Sequence, residues 1–150
     1  MRKFTSVLLI IFCAALLVTL TSCSDAGELL TATIQIIGHD RVMLSATQAE
    51  FAHGETLLAI TKRMARKDGI TVLVSGIEMN ARIEGFDGMY SGDKGQNSGW
   101  VYFVNGEPEM AGCAACEVKA GDRIEWKFAD DIYTHYDIDD AHPTGSGGAI

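Results

Sequence analysis

The hydrophobic positions follow two periods along this chain, and each predicts an element. In TATIQIIG (31–38), Ile34 and Ile36 alternate with Thr33 and Gln35, which is the period of a half-buried strand. RVMLSATQAEF (41–51) carries a weaker form of the same pattern and reads as the return strand. From Leu57 the spacing changes: Leu57, Ile60 and Met64 share a helical face, Thr56 stands at the N-cap and Gly69 at the stop. A helix is therefore expected over about 56–68. Lys62, Arg63, Arg66 and Lys67 fill its later turns, suiting the negative end of the helix dipole, and read as a solvated face.

ITVLVSG (70–76) follows as a short apolar strand. ARIEGFDGMYSGDKGQNSG (81–99) holds five glycines and reads as a long irregular passage, the kind that is functional or mobile. GWVYFV (99–104) is apolar or aromatic from Trp100 onward, so both faces of that strand are greasy. Asn105-Gly106 after it is the favoured pair for a two-residue hairpin turn, and Pro108 weakens the continuation as a central strand. In DRIEWKF (122–128), Ile124, Trp126 and Phe128 alternate with Arg123, Glu125 and Lys127, one dry face and one wet. The order strand, strand, helix, further strands predicts an α+β fold, a β-grasp-like roll with a mixed or antiparallel sheet packed on one main helix.

By the two-residue period, Trp100 and Tyr102 share one face of their strand, with Val101 and Phe103 on the other. One set must meet the helix. The wet face of the DRIEWKF strand points to the Trp100–Tyr102 side as the one needing extra cover, either the glycine-rich 84–99 segment or a ligand. Trp100 and Tyr102 are accordingly candidate ligand contacts, together with Gly99 and Tyr90.

The N-terminal residues alter the picture of the whole. Met1-Arg2-Lys3 precedes twelve consecutive apolar residues, Val7 to Val18, too short a run to span a bilayer and laid out as a secretory signal. It closes on LTSC (20–23), which resembles the end of a bacterial lipoprotein signal. That resemblance implies a signal peptide over 1–22, lipidation of Cys23 as the first mature residue, a short lipidated tether over 23–30, and a protein exported and anchored on the extracytoplasmic face of the cell membrane. The full chain carries 12 basic and 20 acidic residues; losing Arg2 and Lys3 leaves ten against 20, a net charge of −10. So acidic a surface argues against nucleic acid and anionic lipid head groups as partners. With Cys13 in the discarded run and Cys23 lipidated, the remaining cysteines are Cys113 and Cys116 in CAAC. Export favours a local disulfide between them, with metal binding and redox activity as the alternatives.

SGWVYFVNGEPEMAG (98–112), a spacer, and VKAGDRIEW (118–126) are similar to a bacterial family of exported domains of unknown function. That family is related to the carboxy-terminal domain of transcobalamin and intrinsic factor. Thr56, Gly99, Trp100, Tyr102, Val104, Asn105, Gly106, Gly112, Gly121, Asp122, Ile124 and Trp126 stand at the positions of its pattern, and the likeness runs from about Thr31 to Phe128. It implies a β-grasp domain over 31–129 of the type that binds soluble ligands, with a cobalamin-like corrinoid the leading candidate. The chain is too short to hold the helical domain that completes the corrinoid site in those carriers, and the CAAC insertion lies outside the pattern.

Beyond 129 the chain reads as an acidic, flexible tail over 130–150, whose His135, Asp137 and His142 are weak candidate metal ligands. Their spacing does not make a calcium loop. No nucleophile–base set and no phosphate-cradling loop stands in the sequence. The expectation is thus a non-catalytic binding module, with no certain cofactor and a small-molecule ligand. The alternative is docking to an envelope protein or glycan.

Overall fold

The alternation seen in the sequence becomes one buried face in the computed structural model, which describes residues 28–135. In β1 (Leu30–Ile37), Ala32, Ile34 and Ile36 are buried, and the intervening residues are partly exposed. β2 (Val42–Phe51) pairs antiparallel to β1 and buries Leu44, Ala49 and Phe51 on the same side. β8 (Arg123–Ala129) lies parallel to β1 on its other edge, so Ile124 and Trp126 continue the row begun by Ile34 and Ile36. β6 (Gly99–Val104) is antiparallel to β8, and the two-residue β7 (Glu107–Pro108) closes that side. The five-stranded order is β2–β1–β8–β6–β7.

The helix α1 (Leu57–Lys67) turns Leu57, Ile60, Thr61, Met64 and Ala65 onto this face. Its start is built as the sequence predicts: Thr56 accepts from the Ala59 N–H at 3.4 Å. Two further first-turn donors, the N–H groups of Leu57 and Leu58, reach the carbonyls of Cys116 (2.8 Å) and Cys113 (2.9 Å). Arg66 and Lys67 stand in the last turn. In the middle, the Trp126 indole N–H donates to Thr61 Oγ1 at 3.0 Å, satisfying the two polar atoms that the contact buries.

The passage expected to be irregular contains a hairpin. β4 (Arg82–Phe86) and β5 (Met89–Tyr90) are joined by Asp87 and Gly88, both at positive φ, and β3 (Val72–Ser75) completes a second sheet in the order β3–β4–β5. Glycine at 85 is required there, because a Cβ would run into the Tyr90 ring and the Met89 carbonyl. The Asp87-Gly88 pair is the same kind of turn signal as Asn105-Gly106, masked in the sequence by the glycines around it.

Register also corrects the expected assignment of the second greasy face. Trp100 pairs with Phe128 and Tyr102 with Trp126, whereas Val101 lies opposite Lys127 and Phe103 opposite Glu125. Trp100 and Tyr102 therefore face the main core with Phe86, while Val101 and Phe103 share the wet side of β8. That outer face is covered locally. Ala129 and Ile132 pack on Val101 and Phe103, and Lys127 Nζ sits 4.5 Å from the Phe103 ring centroid. The main chain of Ile132, in a short helical turn (Ile132–His135), is held by its N–H bond to the Asn97 carbonyl. Ordered packing thus passes Ala129, through Ile132, while Tyr133 is half exposed and takes no part in the cluster. The architecture is α+β and sheet-dominated, with a single α-helix among the described residues.

Candidate functional site

Aromatic residues form the base of the site. Phe86 meets Trp100 edge-on at 4.7 Å between centroids and Trp126 at 5.5 Å; Tyr102 lies 5.1 Å from Trp126, and Trp100 5.4 Å from Phe128. Each such pair contributes about 0.5–1.5 kcal/mol beyond the area it buries. The polar ends of two of these rings are tied to main chain: the Trp100 indole N–H donates to the Met89 carbonyl (3.0 Å) and the Tyr102 hydroxyl to the Ala111 carbonyl (2.5 Å). Both rings are held rigidly and show only an edge to solvent.

Above those edges lies an open cavity of about 470 Å³. One wall is the end of β4 (Arg82, Ile83, Glu84), a second is Ser91 and Gly92, and a third is the 109–113 segment; Ser98 to Trp100, Tyr102 and Trp126 lie beneath. Gly99 is needed at its place, since a Cβ would press on Ser91 Oγ at 3.2 Å and Ile132 at 3.3 Å. Glu84 is the ordered charge of the site. Ser75 Oγ and Arg82 Nε both donate to its Oε1 at 2.6 Å, and these bonds, Ser75 first, hold its carboxyl below the usual carboxylate range against the opposing effect of burial.

The edge of β6 above this cavity is only partly paired. Its main-chain groups alternate between neighbours, those of Val104 and Tyr102 toward β7 and those of Val101 and Phe103 toward β8. β7 ends at Pro108, and one further bond, Glu109 N–H to the Tyr102 carbonyl (3.1 Å), extends the pairing. The chain then leaves the edge. The Ala111 N–H bonds to Glu109 Oε1 at 3.1 Å and the Ala111 carbonyl to the Tyr102 hydroxyl, in place of the Trp100 main chain. Among the described residues, the Trp100 N–H and carbonyl and the Tyr102 N–H are left without a main-chain partner.

The expected disulfide is not formed in this structure, where the thiols of Cys113 and Cys116 are free. The turn of the CAAC segment, closed by the N–H groups of Ala115 and Cys116 on the Gly112 carbonyl, presents the cysteine carbonyls to the helix start. Cys113 Sγ is buried against the Ala81 carbonyl at 3.7 Å, and Cys116 lies beside the Tyr102 hydroxyl. Burial is the first cause that pushes both thiols and the Tyr102 phenol up, the phenol far above its usual range.

Of the four candidate ligand contacts, Gly99, Trp100 and Tyr102 come together at the cavity. Tyr90 does not: its ring lies over Gly85 and is 43% exposed. Glu84 and Ser91, from the glycine-rich segment expected as candidate cover, join them, while Arg82 and Met110 are added by the hairpin fold of 82–90 and the departure of the chain at Glu109. Cys23, Asp137 and His142 lie outside the described residues, and His135 is placed only by its main chain. Among the described residues no three His, Cys, Asp or Glu side chains gather as a metal site.

A family model described as "Domain of unknown function (DUF4430)" matches residues 54–130, a stretch that includes the helix, the hairpin β4–β5, β8 and all of the cavity lining but Ile132. No curated protein matches by sequence. Among solved structures, haptocorrin in complex with Cbi is similar at a TM-score of 0.61 and 14% identity, over 70% of this chain and 26% of that one. A Ruminococcus gnavus protein for which metal binding is suggested by name aligns at a TM-score of 0.47 and 18% identity, over 67% of this chain and 96% of its own. The chain thus spans about a quarter of haptocorrin's length, and at this identity the likeness is one of fold.

Proposed function

Since this chain belongs to the DUF4430 family, we propose that it is a non-catalytic binding module whose cavity beside β6 receives a small soluble ligand. The observation that carries this reading is the cavity itself: about 470 Å³, floored by the pinned edges of Trp100 and Tyr102, walled by a few polar groups. That volume and that mixture suit a small-molecule site. We read the fold as a β-grasp roll, supported by the parallel β1–β8 pair at the centre of the sheet and the single crossing helix.

Haptocorrin, a structural neighbour, binds Cbi, which makes a corrinoid the leading ligand. A cavity of this size seats part of such a molecule and leaves the rest exposed, so a second wall would come from another domain or protein. In the cell the module sits outside the cytoplasm, anchored to the membrane by lipid on Cys23; the LTSC motif supports that placement. The test is a titration with cobinamide followed by tryptophan fluorescence. Saturable quenching beyond the inner-filter loss is expected, and its absence would remove the corrinoid.

A further inference from the structure

The unpaired stretch of β6 points to a ligand chemistry that the cavity's volume alone does not. A strand edge in a protein interior normally finds a neighbour, a cover or a charge, because unpaired N–H and carbonyl groups template another strand. Here the Trp100 N–H and carbonyl and the Tyr102 N–H all point away from β8, toward the side where β7 has ended. Their own chain is prevented from pairing with them. Beyond Pro108, the bonds of Ala111 to Glu109 and Tyr102 hold the chain away. The gap so created is the cavity.

The rim has the side-chain character that goes with such an edge. Met110, which lines the cavity, is 70% exposed. A flexible thioether at a mouth adapts to varied apolar side chains. The ionised groups of the lining are Arg82, already paired to Glu84, and Glu109, which leaves the site acidic on a chain of net charge −8.

We propose that the cavity takes an extended peptide segment of a partner polypeptide, basic and partly apolar, which adds to β6 as a strand through the Trp100 and Tyr102 main chain. Main-chain bonds supply the affinity, and the alternate side chains reach Met110 on one side and the acidic lining on the other. The inference rests on reading the cavity as a binding site, and it goes beyond the small-ligand reading by naming a peptide as an occupant.

The experiment uses a pooled library of capped pentapeptides alternating lysine with valine, leucine or methionine, added to the full chain in detergent micelles. Amide hydrogen exchange is read residue by residue. In the free protein, Trp100 and Tyr102 should exchange faster than Val101 and Phe103, which are paired to β8. With peptide, the Trp100 and Tyr102 amides should slow by roughly tenfold or more. The same peptides N-methylated at alternate amides should bind about tenfold more weakly, or worse, for the main-chain bonds lost. Binding with unchanged Trp100 and Tyr102 exchange, or binding indifferent to N-methylation, overturns the proposal. If no peptide binds but cobinamide quenches the tryptophans, the peptide inference fails and the small-ligand reading stands. If neither binds, both fail.

Discussion

The Tyr102 hydroxyl donates to the Ala111 carbonyl at 2.5 Å, and this bond holds the 109–113 wall away from the edge of β6. One residue thus serves as core, floor and strut. Its ring packs on Trp126 in the interior, its edge lines the cavity, and its hydroxyl sets how far the wall stands off.

Replacing Tyr102 with Phe keeps the ring and removes the strut. Ala111 is an exposed residue whose carbonyl can turn to water, so the cost should be modest, about 1 kcal/mol in urea unfolding. The larger effect should be local: faster amide exchange over 109–113 and weaker ligand binding, with the β1–β2 pair at the other edge of the sheet unchanged.

The bond between Trp126 and Thr61 behaves differently, because both partners are buried. Thr61→Val keeps the shape and leaves the indole N–H without an acceptor. Unfolding by urea should show a loss of about 1–3 kcal/mol, whereas Thr61→Ser should recover much of it.

Alkaline pH should weaken the fold through three groups. Burial raises Cys113, Cys116 and Tyr102 above their ordinary values, so the folded chain stays protonated where the unfolded chain ionises. Their contribution is fully present below the unfolded values, about 8.5 for a thiol and about 10 for a phenol, and is lost as pH rises beyond them. Urea midpoints should therefore fall between pH 8 and pH 10. The double variant Cys113→Ala/Cys116→Ala, less stable at pH 8, should show a flatter decline over that interval.

Anchoring depends on one atom in the proposed scheme. Cys23→Ala should abolish fatty-acid labelling of the protein in cells and shift it from the membrane to the soluble fraction. Labelling that persists would place the lipid elsewhere.

Much of this fold was legible because single elements carried their own signals. The period of β1 and β8, the spacing of α1 and the Thr56 cap specify local structure without reference to the rest of the chain. What was hidden depended on relations between elements. Whether Trp100 or Val101 faces the core is decided by pairing with Phe128 or Lys127, a register that alternation in either strand alone leaves open. The β4–β5 hairpin was obscured because glycine weakens the strand pattern even where, as at Gly85, close approach demands it. The CAAC segment was read for its sulfur chemistry, while the structure uses its carbonyls to finish the start of the helix. Three of the four candidate contacts converge on the cavity because they are neighbours on β6, whereas Tyr90 stands on the β4–β5 hairpin, 43% exposed.

The central claim is that ligand binds in the cavity beside β6, and residue-resolved NMR of the full chain titrated with cobinamide addresses it most directly. The account predicts saturable shifts confined to Arg82–Glu84, Ser91–Gly92, Gln96, Ser98–Trp100, Tyr102, Glu109–Cys113, Trp126 and Ile132, the residues that line the cavity. No shifts at saturating cobinamide, or shifts gathered on the outer face around Val101, Phe103 and Lys127 with the lining silent, would contradict it.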